Sequence, residues 1–112
     1  MEIIDRKIGD VSVVRVQGRL DSQSAESLGT HLGRLIDSGE RHLVVDGEAL
    51  EYISSTGLRV LLVAAKRLKG AQGTIVLSTL QPHILEVFEI AGFRSLFSIY
   101  GNVGEATRHR PG

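Results

Sequence analysis

Apolar residues along the chain follow two different spacings, and the change of period marks out the elements. Val11-Ser12-Val13-Val14-Arg15-Val16 is short and β-branched, a composition that suits a half-buried strand. The turn signal Gly9-Asp10 separates it from a weaker apolar segment, residues 2–8, so two neighbouring N-terminal strands are predicted. From Ala25 the period lengthens: Ala25, Leu28, Leu32, Leu35 and Ile36 fall on one face of a helix. Asp21 or Ser22 can cap its start, and Ser38-Gly39 ends it. His42 to Asp46 reads as a short buried strand. Leu58, Leu61, Leu62, Ala65 and Leu68 then restore the helical period as far as Gly70. Residues 74–77 form the next predicted strand. Pro82 suits the first turn of a third helix whose stripe is Ile84, Leu85, Phe88 and Ala91, with Gly92 as its stop. Residues 96–100 are expected as a last strand and residues 103–107 as a short helix, before a flexible tail over residues 109–112.

Strands alternating with helices argue for crossover connections on a mixed, mostly parallel β-sheet, with the first two strands adding an antiparallel pair. The predicted class is therefore α/β, in a single domain over residues 1–108. In such sheets functional groups gather where strands end and helices begin. That directs attention to two polar segments expected as loops, residues 18–22 and 46–56.

Composition narrows the chemistry. With 42% hydrophobic residues in 112, the chain has enough apolar surface for one core. Thirteen basic residues balance thirteen acidic ones, so the long-range attraction that direct binding to nucleic acid needs is missing. Zero cysteines exclude disulfides, thiolate metal sites and cysteine nucleophiles. The longest apolar run, residues 60–65, is far short of the roughly 18 residues of a membrane span. With no secretory pattern at the N-terminus, the expected location is the cytoplasm, without membrane insertion. The four histidines, His31, His42, His83 and His109, show no metal-binding spacing, and no phosphate-loop or nucleophile-elbow motif occurs. No catalytic, cofactor or metal site is expected, and the chain is not read as an enzyme.

The informative segment is Glu51-Tyr52-Ile53-Ser54-Ser55-Thr56-Gly57-Leu58-Arg59, three consecutive hydroxyls entering an apolar helix. Ser54 or Ser55 can serve as an N-cap, since a hydroxyl accepts from the free N–H groups of the first turn. Alternatively, one hydroxyl is modified, and a phosphate there would face helix N–H donors and the positive end of the dipole. Asp21 has a capping role of its own. Asp46, closing a strand, either holds a loop amide or touches the hydroxyl segment. Arg59, Lys66, Arg67 and Lys69 give the second helix a basic side, read either as solvated charge or as a docking face in which Arg59 and Lys66 bind a partner.

On these residues the sequence resembles the STAS-domain family, in particular bacterial anti-sigma factor antagonists. Gly18-Arg19-Leu20-Asp21 resembles the family's Gly-x-Leu-Asp segment, Leu43-Val44-Val45-Asp46 its central strand, and Tyr52-Ile53-Ser54-Ser55-Thr56-Gly57-Leu58 its phosphorylation loop. The resemblance implies that Ser55 is the phosphoacceptor, with Ser54, Thr56, Gly57 and Asp21 as its neighbours, and that Gly57 lets a partner approach. The family's usual aspartate before the acceptor is Ser54 here, and a frequent glycine is Arg59. The implied mechanism is partner switching. The unphosphorylated protein binds an anti-sigma serine kinase of histidine-kinase-like ATPase fold and releases that kinase's target; phosphorylation breaks the complex, and a PP2C-type phosphatase resets it. The alternative is a non-switching STAS subunit that binds the ATPase of an ABC-type transporter.

Overall fold

The two N-terminal segments form a hairpin of β1 (Glu2–Ile8) and β2 (Val11–Leu20), paired antiparallel from Glu2↔Gln17 to Ile8↔Val11. Gly9, at φ +62°, takes the first position of the two-residue turn, where a left-handed backbone favours glycine. The structure, a computed structural model, describes residues 1–108; the expected tail, residues 109–112, lies outside the described residues.

After the hairpin come α1 (Ser22–Asp37), β3 (His42–Asp46), β4 (Leu50–Ile53), α2 (Ser55–Gly70), β5 (Thr74–Ser78), α3 (Pro82–Ile90), β6 (Ile99–Tyr100) and α4 (Val103–Arg108). The sheet runs β1-β2-β3-β5-β6. Every pairing except β1 with β2 is parallel, which is the mixed, mostly parallel sheet expected.

Strand alternation sorts the apolar residues onto two faces. Val14, Val16, Leu43, Val45, Ile75 and Leu77 join the main core with Leu28 and Leu32 of α1, Leu61 and Leu68 of α2, and Ile84 and Phe88 of α3. Their alternates Val11, Val13, Val44 and Val76 pack with Ala106 of α4. Three helices thus cover one face of the sheet, and the short fourth helix packs on the other.

Three expectations are corrected. Residues 18–20 are not loop but the end of β2. Val11 to Arg15 pair with β3, and beyond them Gly18 to Leu20 pair with β4, through a register shift between Gly18 and Arg19. The segment 46–56 is likewise not one loop, because it contains β4 and the first residues of α2. The last strand is only Ile99–Tyr100. Phe97 turns inward to meet Phe88 edge-on, with centroids 5.9 Å apart, and although the Ser98 carbonyl accepts from the Leu77 amide at 3.0 Å, regular pairing begins only at Ile99. Gly47 lies at the step from β3 to β4, where a Cβ would displace the end of the Leu80 side chain, 2.5 Å away.

Candidate functional site at the start of the second helix

β2 and β4 end side by side, and each runs straight into a helix. Leu20 pairs with Ile53, and the Ser54 amide donates to the Leu20 carbonyl at 2.9 Å. The chain segments that lead into α1 and α2 are therefore tied together by one backbone hydrogen bond. Asp21, next after Leu20, caps α1: its Oδ1 accepts from the amides of Gln23 (3.1 Å) and Ser24 (3.0 Å). Ser24 Oγ accepts from the Asp21 amide at 2.9 Å, which completes a reciprocal box. The Ser24 amide, more than any other contact, holds the Asp21 carboxyl below its ordinary pKa, because hydrogen bonds to the charged form favour it. Capping is thus a role Asp21 fulfils, and its place beside Ser54 makes it a neighbour of the hydroxyl segment as well.

The two candidate capping serines are told apart by the helix start. Ser54 sits outside α2 with extended backbone (φ −88°, ψ 168°), and its side chain accepts from the Gly57 amide at 3.1 Å. Ser55 is the first helical residue, exposed and outside the cap. Cap duty falls on one serine, and the next presents its hydroxyl to solvent. Thr56 is also exposed, on the side facing α1, whereas Gly57 is buried. A Cβ at Gly57 would stand 2.8 Å from Leu20 Cγ and 3.1 Å from Ile53 Cγ1. The space that Gly57 leaves is filled by this chain's own strand ends, so its smallness serves the docking of α2.

At about 100° per residue, Ser55, Arg59 and Lys66 project within about 40° of one another, on the face opposite the buried Leu61, Ala64 and Leu68. Arg59 and Lys66 are exposed on the same stripe as Ser55. Arg67 is not part of an open basic face, since it pairs with Asp37 of α1 at 2.7 Å. Beside the stripe runs an apolar groove of about 210 Å³ between α1 and α2, lined by Gly29, Leu32, Val60, Val63 and Ala64, with Thr56 and Arg59 at its border.

Arg19 and Tyr52 form a contact that no local sequence pattern announces. These residues are register partners on β2 and β4, and the guanidinium carbon lies 4.2 Å from the ring centroid, a cation–π contact. Only the strand register brings them together. For Asp46 the structure selects the loop-amide role: Oδ1 accepts from the Glu48 amide at 3.1 Å, and Oδ2 meets Arg15 at 3.2 Å. Asp46 lies in the strand row with Arg15 and Ser78, away from the hydroxyl segment. Among the described residues no group of three or more His, Asp or Glu side chains could hold a metal ion, and no helix is long and apolar enough to cross a membrane.

The STAS domain model matches residues 2–106 of this chain. The chain belongs to the STAS domain family. One relative of this STAS domain, from Bordetella bronchiseptica, is named "Putative anti-sigma factor antagonist BtrV"; it is 46% identical over 99 residues, covering 88% of this chain and 85% of the relative. The fold is also that of an anti-sigma factor antagonist from Mycobacterium paratuberculosis (TM-score 0.88, 24% identity, 96% of this chain and 91% of that one). The Bacillus cell fate determinant SpoIIAA, solved in its phosphorylated form, superposes with a TM-score of 0.77 at 20% identity, over 98% of this chain and 100% of that one.

Proposed function

We propose that this STAS domain is a cytoplasmic anti-sigma factor antagonist switched by phosphorylation of Ser55. The observation that carries the reading is the division of labour at the head of α2: Ser54 accepts the Gly57 amide, while the neighbouring Ser55 hydroxyl stays outside the cap and exposed. The 46% identity to a relative named as an anti-sigma factor antagonist supports the function class. In this reading the unmodified protein binds an anti-sigma serine kinase of histidine-kinase-like ATPase fold and releases the kinase's target. The kinase moves the γ-phosphoryl group of ATP onto Ser55 Oγ, with ADP leaving and the hydroxyl proton lost. A PP2C-type phosphatase hydrolyses the ester and restores the hydroxyl. The chain itself is substrate and ligand, not enzyme.

The modification acts through charge. A phosphate adds about −1.5 to −2 charges to a surface closely packed in the complex. A buried and unpaired charge costs several kcal/mol, and each 1.4 kcal/mol is about tenfold in affinity. No rearrangement of the core is required. Ser54, Thr56 and Asp21 border the acceptor, and Arg59 and Lys66 offer positive charge to the partner along the same stripe.

Intact mass followed by phosphopeptide mapping, after incubation with ATP and each histidine-kinase-like serine kinase of the source genome, tests the assignment. The expected result is one phosphate on Ser55, abolished in Ser55→Ala and retained in Ser54→Ala. A phosphate on Ser54 or Thr56 would move the site, and a chain that binds such a kinase equally well with and without phosphate would reject switching in favour of a fixed subunit.

A further inference from the structure

Five of the ten guanidinium groups in this chain are already committed. Arg15 pairs with Asp46 and Glu48, Arg67 with Asp37 and Arg94 with Glu89; Arg41 donates to the carbonyls of Ile36 and Glu40, and Arg19 lies over Tyr52. Arg59, like Arg6 of β1 and Arg34 of α1, is not committed: among the described residues no hydrogen bond or ion pair engages its side chain; of these three only Arg59 stands on α2, and the first turn of α2 holds no acidic residue to claim it.

Its place relative to Ser55 is fixed by an uninterrupted helix. Residues four apart are surface neighbours, with Cβ atoms about 5–6 Å apart. Long side chains on a helix lean back toward its N-terminus, so the path of Arg59 runs over the turn that begins at Ser55. Other charged groups at this end come from neighbouring elements: Arg19 and Asp21 from the end of β2 and the cap of α1, and Glu51 from β4.

We propose that Arg59 is the chain's own receptor for a phosphate on Ser55, a step that rests on the reading of Ser55 as the acceptor. The planar guanidinium can offer two N–H groups to two phosphate oxygens, a geometry lysine lacks. Arg59 also borders the groove between α1 and α2. Phosphorylation therefore does two things at once: it places a dianion at the helix head and draws the free cation back from the groove. A partner carboxylate that meets Arg59 in the unmodified protein loses its counter-charge when the serine is modified.

The test uses the full chain with phosphoserine installed at position 55 during translation, followed by phosphorus NMR as a function of pH at low salt. The second ionisation of the phosphate is expected below its ordinary value of about 6. In Arg59→Gln it should rise by about half a unit, roughly threefold in the acid constant, and Arg59→Lys should restore part of the difference. Lys66→Gln, about three turns away, and Arg19→Gln should leave the wild-type curve in place. Superimposable curves for wild type and Arg59→Gln, or a shift that follows Arg19 instead, would overturn the proposal. The Ser55 assignment fails by a separate measurement, the phosphopeptide map of kinase-treated protein, while the titration reports on Arg59 whichever residue a kinase prefers.

Discussion

Adding a single methyl group at Gly57 tests the packing that holds the candidate site in place. In Gly57→Ala the new Cβ would lie 2.8 Å from Leu20 Cγ, 3.0 Å from Leu20 Cδ2 and 3.1 Å from Ile53 Cγ1. Leu20 is 1% exposed and Ile53 5%, so neither can swing into solvent to make room. Overpacking of this kind costs about 1–3 kcal/mol. Against it stands the helix preference of alanine over glycine, about 1 kcal/mol in a helix interior and less in the first turn, where Gly57 sits. The net expectation is a loss of about 1 kcal/mol, a fall in Tm of roughly 3–6 °C for a domain of this size. Urea titration followed by circular dichroism reads it directly. The double variant Gly57→Ala/Leu20→Ala should be more stable than the sum of the single effects, because the smaller side chain relieves the clash. If Gly57→Ala is as stable as wild type or more so, the close approach of α2 to the ends of β2 and β4 is not what requires glycine, and the argument fails.

Other outcomes follow from the same geometry. Ser54→Ala should cost about 0.5–2 kcal/mol of stability, the usual loss of an N-cap, whereas Ser55→Ala should stay within about 0.5 kcal/mol; equal losses in urea titration would mean that the two serines share the cap. The depressed Asp21 pKa contributes stability that is present above the unfolded-state value near 3.9 and disappears as pH falls through the lower folded value. Asp21→Asn should therefore flatten the acid limb of the stability–pH curve below about pH 5, and an unchanged slope would contradict the role of the charged cap. Ser55→Asp should weaken kinase binding less than phosphorylation does, because one carboxylate carries less charge and fewer acceptor oxygens; undiminished affinity in calorimetry for both forms would count against switching.

The helices and central strands were legible because their apolar periods are strong. Val11 to Val16, His42 to Asp46 and the stripe from Leu58 to Leu68 each announce one element, and the structure contains all three. β4 was not legible for a physical reason. Its four residues are buried only at the ends, Leu50 and Ile53, with exposed Glu51 and Tyr52 between, so no alternation shows. Its partner is the far end of β2, reached through a register shift at Gly18 that no local pattern encodes. The hydroxyl segment itself was visible, but two adjacent serines with the same donor and acceptor groups are equivalent as capping candidates until the first helical residue is known. The contact of Arg19 with Tyr52 and the inward direction of Gly57 depend on how β2, β4 and α2 meet, which is tertiary information.

The backbone bond from Ser54 to the Leu20 carbonyl gives the hydroxyl segment a static mounting. Both helix heads are joined to neighbouring strands, so a phosphate there would be added at a set point of the backbone, and the site would act as a detector whose state is written in surface charge and in the position of side chains such as Arg59. In the proposed cycle its response would be timed by the enzymes that add and remove the phosphate, and its two outputs would differ in what they repel and attract while sharing one shape.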